Sequence, residues 1–309
     1  MTELAWGGCT HVGHVRAVNE DSYVVSPPVF LVADGMGGHQ FGDIASATVA
    51  DEFNRLALAT DLDAEAVAET IERANSTIRG IDADAPAGRE MGTTAAGIVL
   101  VGVDTEPSWV LFNVGDSRVY RYAEGSLEQL SVDHSLVQEL VDSGDLTEAE
   151  ARTHPDRHVI TRAMGLDEHV LADFVVRTPL PGERFLLCSD GLHDELTERE
   201  IASILGLNPE PQRAAEALID AVLAGTARDN VTAIVVDVVS VAPTAEGDET
   251  SERTDPGLLA AVAATTDAVD PPAADFVGLA SDEADLHVAE PVVPGDPVDP
   301  ETMIEVPRW

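Results

Sequence analysis

The order of the hydrophobic patterns along this 309-residue chain predicts an α+β fold, with antiparallel sheets flanked by pairs of helices. Two observations carry this prediction. Short apolar runs of the kind that form buried strands recur between residues 29 and 239. Two long helical patterns stand next to each other among these runs, instead of alternating with single strands as they would around a parallel sheet.

The predicted elements follow one another in a simple order. The first apolar run, Val29–Ala33, precedes two helical patterns at Asp43–Ala59 and Asp63–Ile81, each with a broad apolar face. Two more helical patterns lie near Glu198–Leu205 and Pro211–Ala224. The remaining strand-like runs are Thr94–Val103, Trp109–Val114, Arg118–Tyr122, Ala172–Arg177, Arg184–Cys188 and Val231–Val239.

A polar insert at about residues 135–170 separates two groups of strands. It contains two predicted short helices, Ser135–Asp142 and Thr147–Thr153, joined by a turn at Ser143-Gly144-Asp145. The segment His154-Pro155 ends the second helix, because proline cannot continue it. The insert is therefore predicted to form a small substructure that is distinct from the strand framework.

Composition predicts a domain over residues 1–241 and a tail over 242–309. The tail carries sixteen Asp or Glu against two Arg, and Pro, Ala, Thr and Gly dominate it. Such a segment buries too little apolar surface to fold, so we expect it to be mostly disordered. Its last residues, 301–309, form an isolated apolar motif, which is either a short docking peptide or an inert end.

The charge of the chain restricts its partners. The formal net charge is −40, and all 17 basic residues are Arg. We expect no binding to nucleic acid or anionic membranes, which such a surface repels, and an attraction for divalent cations. A general compositional habit of the host is an alternative origin of the acidity.

No signal peptide or membrane-length apolar stretch is present, so we expect a cytoplasmic protein. We also expect a monomer.

Acidic residues stand at the ends of apolar runs in five short segments. Asp34, Asp116 and Asp190 each adjoin a glycine, and any one of them alone would indicate only a turn. A carboxylate at the mouth of a buried strand is costly unless something pairs with it, so several of them predict a shared cluster of hard divalent cations. The segments are Arg16–Asp21, Val32–Gly38, Asn113–Arg118, Leu187–Gly191 and Arg228–Thr232.

In this order, the segments resemble the bacterial form of the protein phosphatase 2C family of metal-dependent Ser/Thr phosphatases. The resemblance extends over roughly residues 1–240 and also includes Gly92-Thr93-Thr94 and Leu130–His134. It implies a four-layer αββα sandwich with metals at one end of the two central sheets. It also implies that the insert at 135–170 is a flap that shapes substrate access, with an ordinary surface excursion as the alternative.

The same resemblance implies a site for two Mn²⁺ or Mg²⁺ ions, and a third, weaker ion. Asp34 would bridge the first two ions and act in catalysis, and Asp116 with Asp190 would hold the third. The oxygen-only ligand set favours Mn²⁺ or Mg²⁺ over Zn²⁺. The implied metal ligands are Glu20, Asp34, the carbonyl of Gly35, Asp116, Asp190 and Asp229.

Other residues would support catalysis. Arg16 is expected to bind the phosphate through its planar guanidinium, with a salt bridge to Glu20 as the alternative. Asp21, His39 and Asn230 are expected to orient ligands, water or substrate. No side chain is assigned as the general acid. Animal members of the family carry a histidine where this chain has Met36, which donates no proton. A metal-bound water and His39 are the candidates.

The flap carries a second departure from the family pattern. His158 stands where relatives often have a small polar residue near the third metal, so the affinity for that ion is open.

The implied activity is hydrolysis of phosphoserine and phosphothreonine by a hydroxide that bridges the two ions, in opposition to eukaryotic-like Ser/Thr kinases. Phosphorylated proteins, including such kinases, would be its partners. Two other functions stay open: a phosphoprotein-binding pseudoenzyme or scaffold, which the intact ligand set disfavours, and a small-molecule phosphoesterase.

Overall fold

Two antiparallel sheets form the framework of the computed structural model, which describes residues 2–37, 41–60, 62–83, 91–102 and 107–241. The strands are β1 (Glu3–His11), β2 (Asp21–Ser26), β3 (Val29–Met36), β4 (Gly92–Thr93), β5 (Ala95–Val101), β6 (Ser108–Val114), β7 (Arg118–Ala123), β8 (Ser126–Gln129), β9 (Asp173–Arg177), β10 (Arg184–Cys188) and β11 (Val231–Ser240). The helices are α1 (Gly42–Leu56), α2 (Ala64–Ala83), α3 (Leu136–Asp142), α4 (Glu148–Ala151), α5 (Asp190–His193), α6 (Glu198–Leu207) and α7 (Pro211–Leu223).

The strand order brings distant parts of the chain together. Within the described residues, one sheet has the order β1-β11-β10-β7-β8, and the other has the order β2-β3-β5-β6-β9 with β4 paired to β3. The pairs β1–β11 and β2–β3 are antiparallel, as are those between β10 and its two neighbours. The predicted α+β class is therefore confirmed.

The two faces of each central strand enter different layers of the core, because successive side chains of a strand point to opposite sides. On β3, Phe30 and Val32 pack between the two sheets, and Leu31 packs against α1 and α2. On β10, Leu187 lies between the sheets and Leu186 packs with α6 and α7. The order of layers is thus helices, sheet, sheet, helices, as the resemblance implied.

Four strands and one helix were not among the predicted elements. They are β1, β2, β4, β8 and α5. The interior of β1 carries Gly7 and Gly8, which interrupt an apolar pattern and have low strand propensity. The packing requires one of them, since a Cβ on Gly7 would lie 2.2 Å from the Cα of Gln212 in α7. Strand β3 extends past its predicted end at Ala33 to Met36, because β4 pairs with Gly35 and Met36.

The insert has the two short helices that were predicted, α3 and α4. Its base is closed by an antiparallel bridge between Ser135 and Ile160. Thr147 caps α4 in a capping box with Glu150, which explains where that helix begins. The predicted tail at 242–309, its end motif 301–309 and His39 lie outside the described residues. In the described part of the chain, no helix has the length and apolar character needed to cross a bilayer.

Candidate metal centre and phosphate site

The predicted acidic residues meet at one end of the two sheets. Asp34 on β3 stands opposite Asp21 on β2, whereas Asp190 follows β10 and Asp229 precedes β11 in the other sheet. The pKa of Asp34 is raised well above its ordinary value by burial, and further by the charges of Asp21, Asp190, Asp116 and Asp229. The same combination of burial and neighbouring carboxylates raises the pKa of Asp190. The structure therefore brings these carboxyls close together, and their role as metal ligands stays a prediction.

Asp21 joins the two sheets beneath the cluster. Its Oδ2 accepts hydrogen bonds from Ser189 Oγ at 2.8 Å and from Thr232 Oγ1 at 2.6 Å. Its Oδ1 is buried and has no hydrogen-bond partner among the described residues. Burial raises the pKa of Asp21 to about 6. Sequence analysis expected Asp21 to orient ligands, water or substrate, and the structure places it opposite Asp34, with hydrogen bonds to Ser189 and Thr232 beside and within the other sheet.

Two threonines fix the backbone of Asp34. The N–H of Asp34 donates to Thr94 Oγ1 at 2.9 Å, and Thr93 Oγ1 donates to the carbonyl of Asp34 at 2.9 Å. Thr94 Oγ1 also lies 2.7 Å from Ser117 Oγ, next to Asp116. Sequence analysis noted Gly92-Thr93-Thr94 only as part of the resemblance and gave it no role. The structure places these hydroxyls between the Asp34 strand and the Asp116 turn.

Glu20 and Gly35 are brought together by their main chains. The N–H of Gly35 donates to the carbonyl of Glu20 at 3.2 Å. Gly35 is required here, because a Cβ would lie 2.1 Å from the carbonyl oxygen of Gly42 at the start of α1. Burial raises the pKa of the Glu20 carboxyl. The fold thus places the two residues next to each other, and the binding of one ion by the Glu20 carboxylate and the Gly35 carbonyl stays a prediction.

Asn230 holds the loop that carries Arg16 and Glu20. Its Oδ1 accepts from the N–H of Glu20 at 2.8 Å, and its Nδ2 donates to the carbonyls of Val12 and Val18, each at 3.0 Å. All of its side-chain groups are thus used inside the loop. The residue supports the site by holding this loop in place.

Arg16 lies at the exposed rim of the cluster. Its Nη2 is 2.7 Å from Asp229 Oδ2, and about half of its side chain is exposed. The alternative salt bridge with Glu20 one helical turn away is not observed, because the loop between β1 and β2 forms no helix. The side chain retains exposed N–H groups beside four carboxylates, where a phosphate could bridge between Arg16 and bound cations.

A second group of ligands lies toward the flap. Among the described residues, ligand atoms of His158, Asp190 and Asp194 lie within 4.8 Å of one another. Asp116 is buried nearby, and burial together with the charge of Asp133 raises its pKa to about 7. These four residues line a cleft of about 550 Å³ between the flap and α5. Sequence analysis did not single out Asp194, although its spacing of four residues from Asp190 would place both on one helix face.

The donor set fits hard divalent cations. Carboxylate and carbonyl oxygens predominate, and His158 contributes the single nitrogen in the described part of the site. Two buried carboxylate oxygens, Asp21 Oδ1 and Asp190 Oδ1, have no hydrogen-bond partner there. Burial, and after it the charges of neighbouring carboxylates, raise the pKa values of Asp21 and Asp190, and a bound cation would favour their charged forms.

Known proteins resemble this chain along the same residues. The sequence profile of the family Protein phosphatase 2C matches residues 14–224. The serine/threonine protein phosphatase PstP of Mycobacterium tuberculosis is 38% identical over 234 residues, which are 74% of this chain and 43% of PstP. This chain therefore spans less than half of that relative. The serine/threonine phosphatase stp of Listeria monocytogenes is 33% identical over 239 residues, which are 74% of this chain and 93% of stp.

Solved structures share the fold. The catalytic domain of PstP in complex with two manganese ions superposes with a TM-score of 0.68 at 34% identity, and the match covers 77% of this chain and 99% of that domain. The profile, the relatives and the solved structure all indicate the same family. The chain belongs to the protein phosphatase 2C family.

Proposed function

We propose that this chain is a metal-dependent serine/threonine protein phosphatase that hydrolyses phosphoserine and phosphothreonine in proteins. The observation that carries the proposal is the convergence of Asp34, Asp190 and Asp229 from two sheets beneath the guanidinium of Arg16. The names of the relatives from M. tuberculosis and L. monocytogenes, which are serine/threonine phosphatases, support the same activity.

In this proposal, Asp34 would be a ligand of two Mn²⁺ or Mg²⁺ ions. Asp190 and Asp229 would complete the protein ligands of one ion, and Glu20 with the carbonyl of Gly35 would serve the other. The manganese complex of PstP, with two ions, supports this number. When bound, the ions would lower the pKa of a water molecule and neutralise charge on the phosphate. Asp116 and Asp190 are assigned to a third ion, with Asp194 and His158 beside them.

The remaining tasks fall to this chain's own side chains. Arg16 holds the phosphate through N–H groups that Asp229 does not use. Asp21 fixes the seam between the sheets through Ser189 and Thr232, so the ligands keep their spacing. Met36 has no proton to give to the leaving alkoxide, so we favour a water molecule of the site as that donor.

The proposed substrates are phosphorylated proteins, including Ser/Thr kinases of the same cytoplasm. The open rim at Arg16 supports a protein substrate, because a phosphorylated loop must reach the carboxylates from outside. The flap cleft begins at the same cluster and offers a surface for residues next to the phosphate.

Turnover by the purified, metal-stripped full chain tests the proposal. The protein is titrated with Mn²⁺ or Mg²⁺, and hydrolysis of p-nitrophenyl phosphate and of a phosphothreonine peptide is followed. We expect metal-dependent hydrolysis of both. Asp34→Asn should lower it by about a hundredfold or more, with an unchanged circular dichroism spectrum.

The other outcomes are equally informative. A folded protein without turnover in either metal would overturn the proposal in favour of a phosphoprotein-binding scaffold. Hydrolysis of p-nitrophenyl phosphate and sugar phosphates, but of no phosphopeptide, would indicate a small-molecule phosphoesterase.

A further inference from the structure

Two buried histidines contact the main chain on both sides of the Asp116 turn. His134 Nδ1 lies 3.1 Å from the N–H of Gly115, which donates to it. His193 Nε2 lies 3.1 Å from the carbonyl oxygen of Asp116. Only 4% of the His134 side chain and 7% of the His193 side chain are exposed. Neither residue was singled out for such a role by the sequence pattern.

The partners of each ring define its tautomer. Because His134 Nδ1 accepts a hydrogen bond, its proton is on Nε2, which lies 3.3 Å from Asp173 Oδ2 and 3.2 Å from Arg162 Nη1. Because His193 Nε2 faces a carbonyl, that nitrogen carries the proton and donates it.

The contacted segment needs fixing from outside. Gly115 has a φ of +97°, and a Cβ there would lie 2.6 Å from Thr94 Cγ2. The turn therefore requires glycine, whose backbone is not restrained by a side chain. The next residue, Asp116, is buried and lines the same cleft as Asp190. A restraint on the peptide group of Asp116 therefore helps to fix where its carboxylate lies relative to Asp190.

His193 is well placed to provide this restraint. It lies one turn after Asp190 on α5, so its contact with Asp116 ties the main chain of one carboxylate to the helix that carries the other. His134 provides the opposite contact from the base of the flap, where its carbonyl also accepts from the N–H of Thr161 at 2.9 Å. The spacing between Asp116 and Asp190 is thereby linked to both α5 and the flap.

We propose that His193 is a positioning residue that holds the Asp116 carboxylate at its distance from Asp190, with His134 as the opposing contact. The proposal rests on the proposed function only in assigning Asp116 and Asp190 to a divalent cation. His193 acts through the backbone of Asp116 and touches neither substrate nor reacting atoms.

A pair of matched substitutions in the full chain tests this role. The amide of Gln can donate from the position of Nε2, whereas Leu fills the space and donates nothing. In calorimetric titrations of the metal-stripped protein with Mn²⁺, His193→Leu should weaken the weakest site about tenfold, and His193→Gln should stay within about twofold of the wild type. The KM for p-nitrophenyl phosphate should stay unchanged at saturating Mn²⁺, since Arg16 is untouched.

Equal Mn²⁺ affinity in folded His193→Leu and wild type would overturn the proposal. So would an equal loss in both variants, because the lost factor would then be general packing and not the hydrogen bond. Circular dichroism and thermal unfolding establish that each variant is folded.

A measurement on the wild type covers the case in which the Leu variant does not fold. Long-range ¹H–¹⁵N spectra of the histidine side chains should show neutral rings protonated at Nε2 for both His193 and His134. A ring of His193 that is protonated at Nδ1 alone at neutral pH would overturn the proposed contact, because Nε2 could then not donate to the carbonyl of Asp116. Neither titration nor spectrum requires turnover, so a failure of the proposed activity is distinguishable from a failure of this inference.

Discussion

Asp21 shows how the site is assembled at the scale of one residue. Its carboxylate receives two hydroxyl hydrogen bonds and has one buried oxygen without a partner in the described structure. Burial raises its pKa from 3.8 to about 6. The folded state therefore holds this proton more tightly than the unfolded state. Its contribution to the free energy of unfolding is largest below about pH 4 and is lost as the pH rises to about 6.

Replacement of Asp21 by Asn should reduce the pH dependence of stability. Without divalent cations, the free energy of unfolding of the wild type should fall between about pH 4.5 and pH 7.5, and Asp21→Asn should reduce that fall by about 2 kcal/mol. Urea unfolding at the two pH values measures the difference. The exposed Asp51→Asn in α1 is the control, and an equal pH dependence in wild type and Asp21→Asn would contradict the assignment.

At this scale, the sequence could predict which carboxylates meet, because three of them follow apolar runs and the whole set matches one family. It could not predict the contacts that hold them. Asn230 was expected to orient ligands, water or substrate, but its hydrogen bonds, like that of Thr94, join main-chain groups far apart in sequence. His193 and Asp194 stand in a short segment after Asp190-Gly191 that resembles an ordinary turn, so the single helical turn of α5 was not predicted.

At the scale of elements, the contact between β1 and α7 depends on a glycine. A Cβ on Gly7 would lie 2.2 Å from Gln212 Cα and 2.4 Å from its nitrogen. These are backbone atoms, so the helix itself must move. Sequence analysis did not predict β1, because Gly7 and Gly8 interrupt the apolar pattern that marks the central strands. Close packing thus explains both the residue and the missed strand.

Two Gly→Ala substitutions should therefore have opposite effects. Gly7→Ala should lower the free energy of unfolding by about 2 kcal/mol or more, through the displacement of α7. Gly80→Ala should raise it by about 0.5–1 kcal/mol, since Gly80 lies in α2 with nothing within 4 Å of its Cβ position. Urea denaturation of both variants measures these changes in the free energy of unfolding. A Gly7→Ala protein as stable as the wild type would show that α7 can shift at little cost in free energy.

At the scale of the whole molecule, divalent cations should stabilise the fold, because the ligands come from both sheets and their pKa values are raised. Protons compete for the same carboxyls, so the rise in Tm with Mn²⁺ should be larger near pH 8 than near pH 5.5. Differential scanning calorimetry measures both shifts. Asp34→Asn should show a smaller rise than wild type, and an equal rise in the two proteins would contradict the ligand assignment.

The boundary at about residue 241 remains a prediction. Strand β11 ends at Ser240, which agrees with a domain over 1–241. Deletion of residues 242–309 should leave the hydrolysis of p-nitrophenyl phosphate nearly unchanged, because every residue assigned to the site precedes it. Steady-state kinetics of the truncated and full chains test this. A large loss in kcat/KM would show that the tail belongs to the catalytic domain.

The layer order of the fold could be predicted because the acidic segments matched a family, whereas apolar periodicity alone gave only the α+β class. The pairing of β1 with β11 joins residues more than 200 positions apart, and no local pattern contains that information.

The site is built across a seam. Glu20 precedes a strand of one sheet and Asp34 lies within that sheet, whereas Asp190 and Asp229 flank strands of the other, and Asp21 bonds across the boundary to Ser189 and Thr232. Any sliding of one sheet against the other changes every distance between these two pairs of residues at once. If the proposed function holds, the alignment of the sheets sets the spacing of the metal ligands, and we expect a strain that leaves both hydrophobic layers intact to lower turnover.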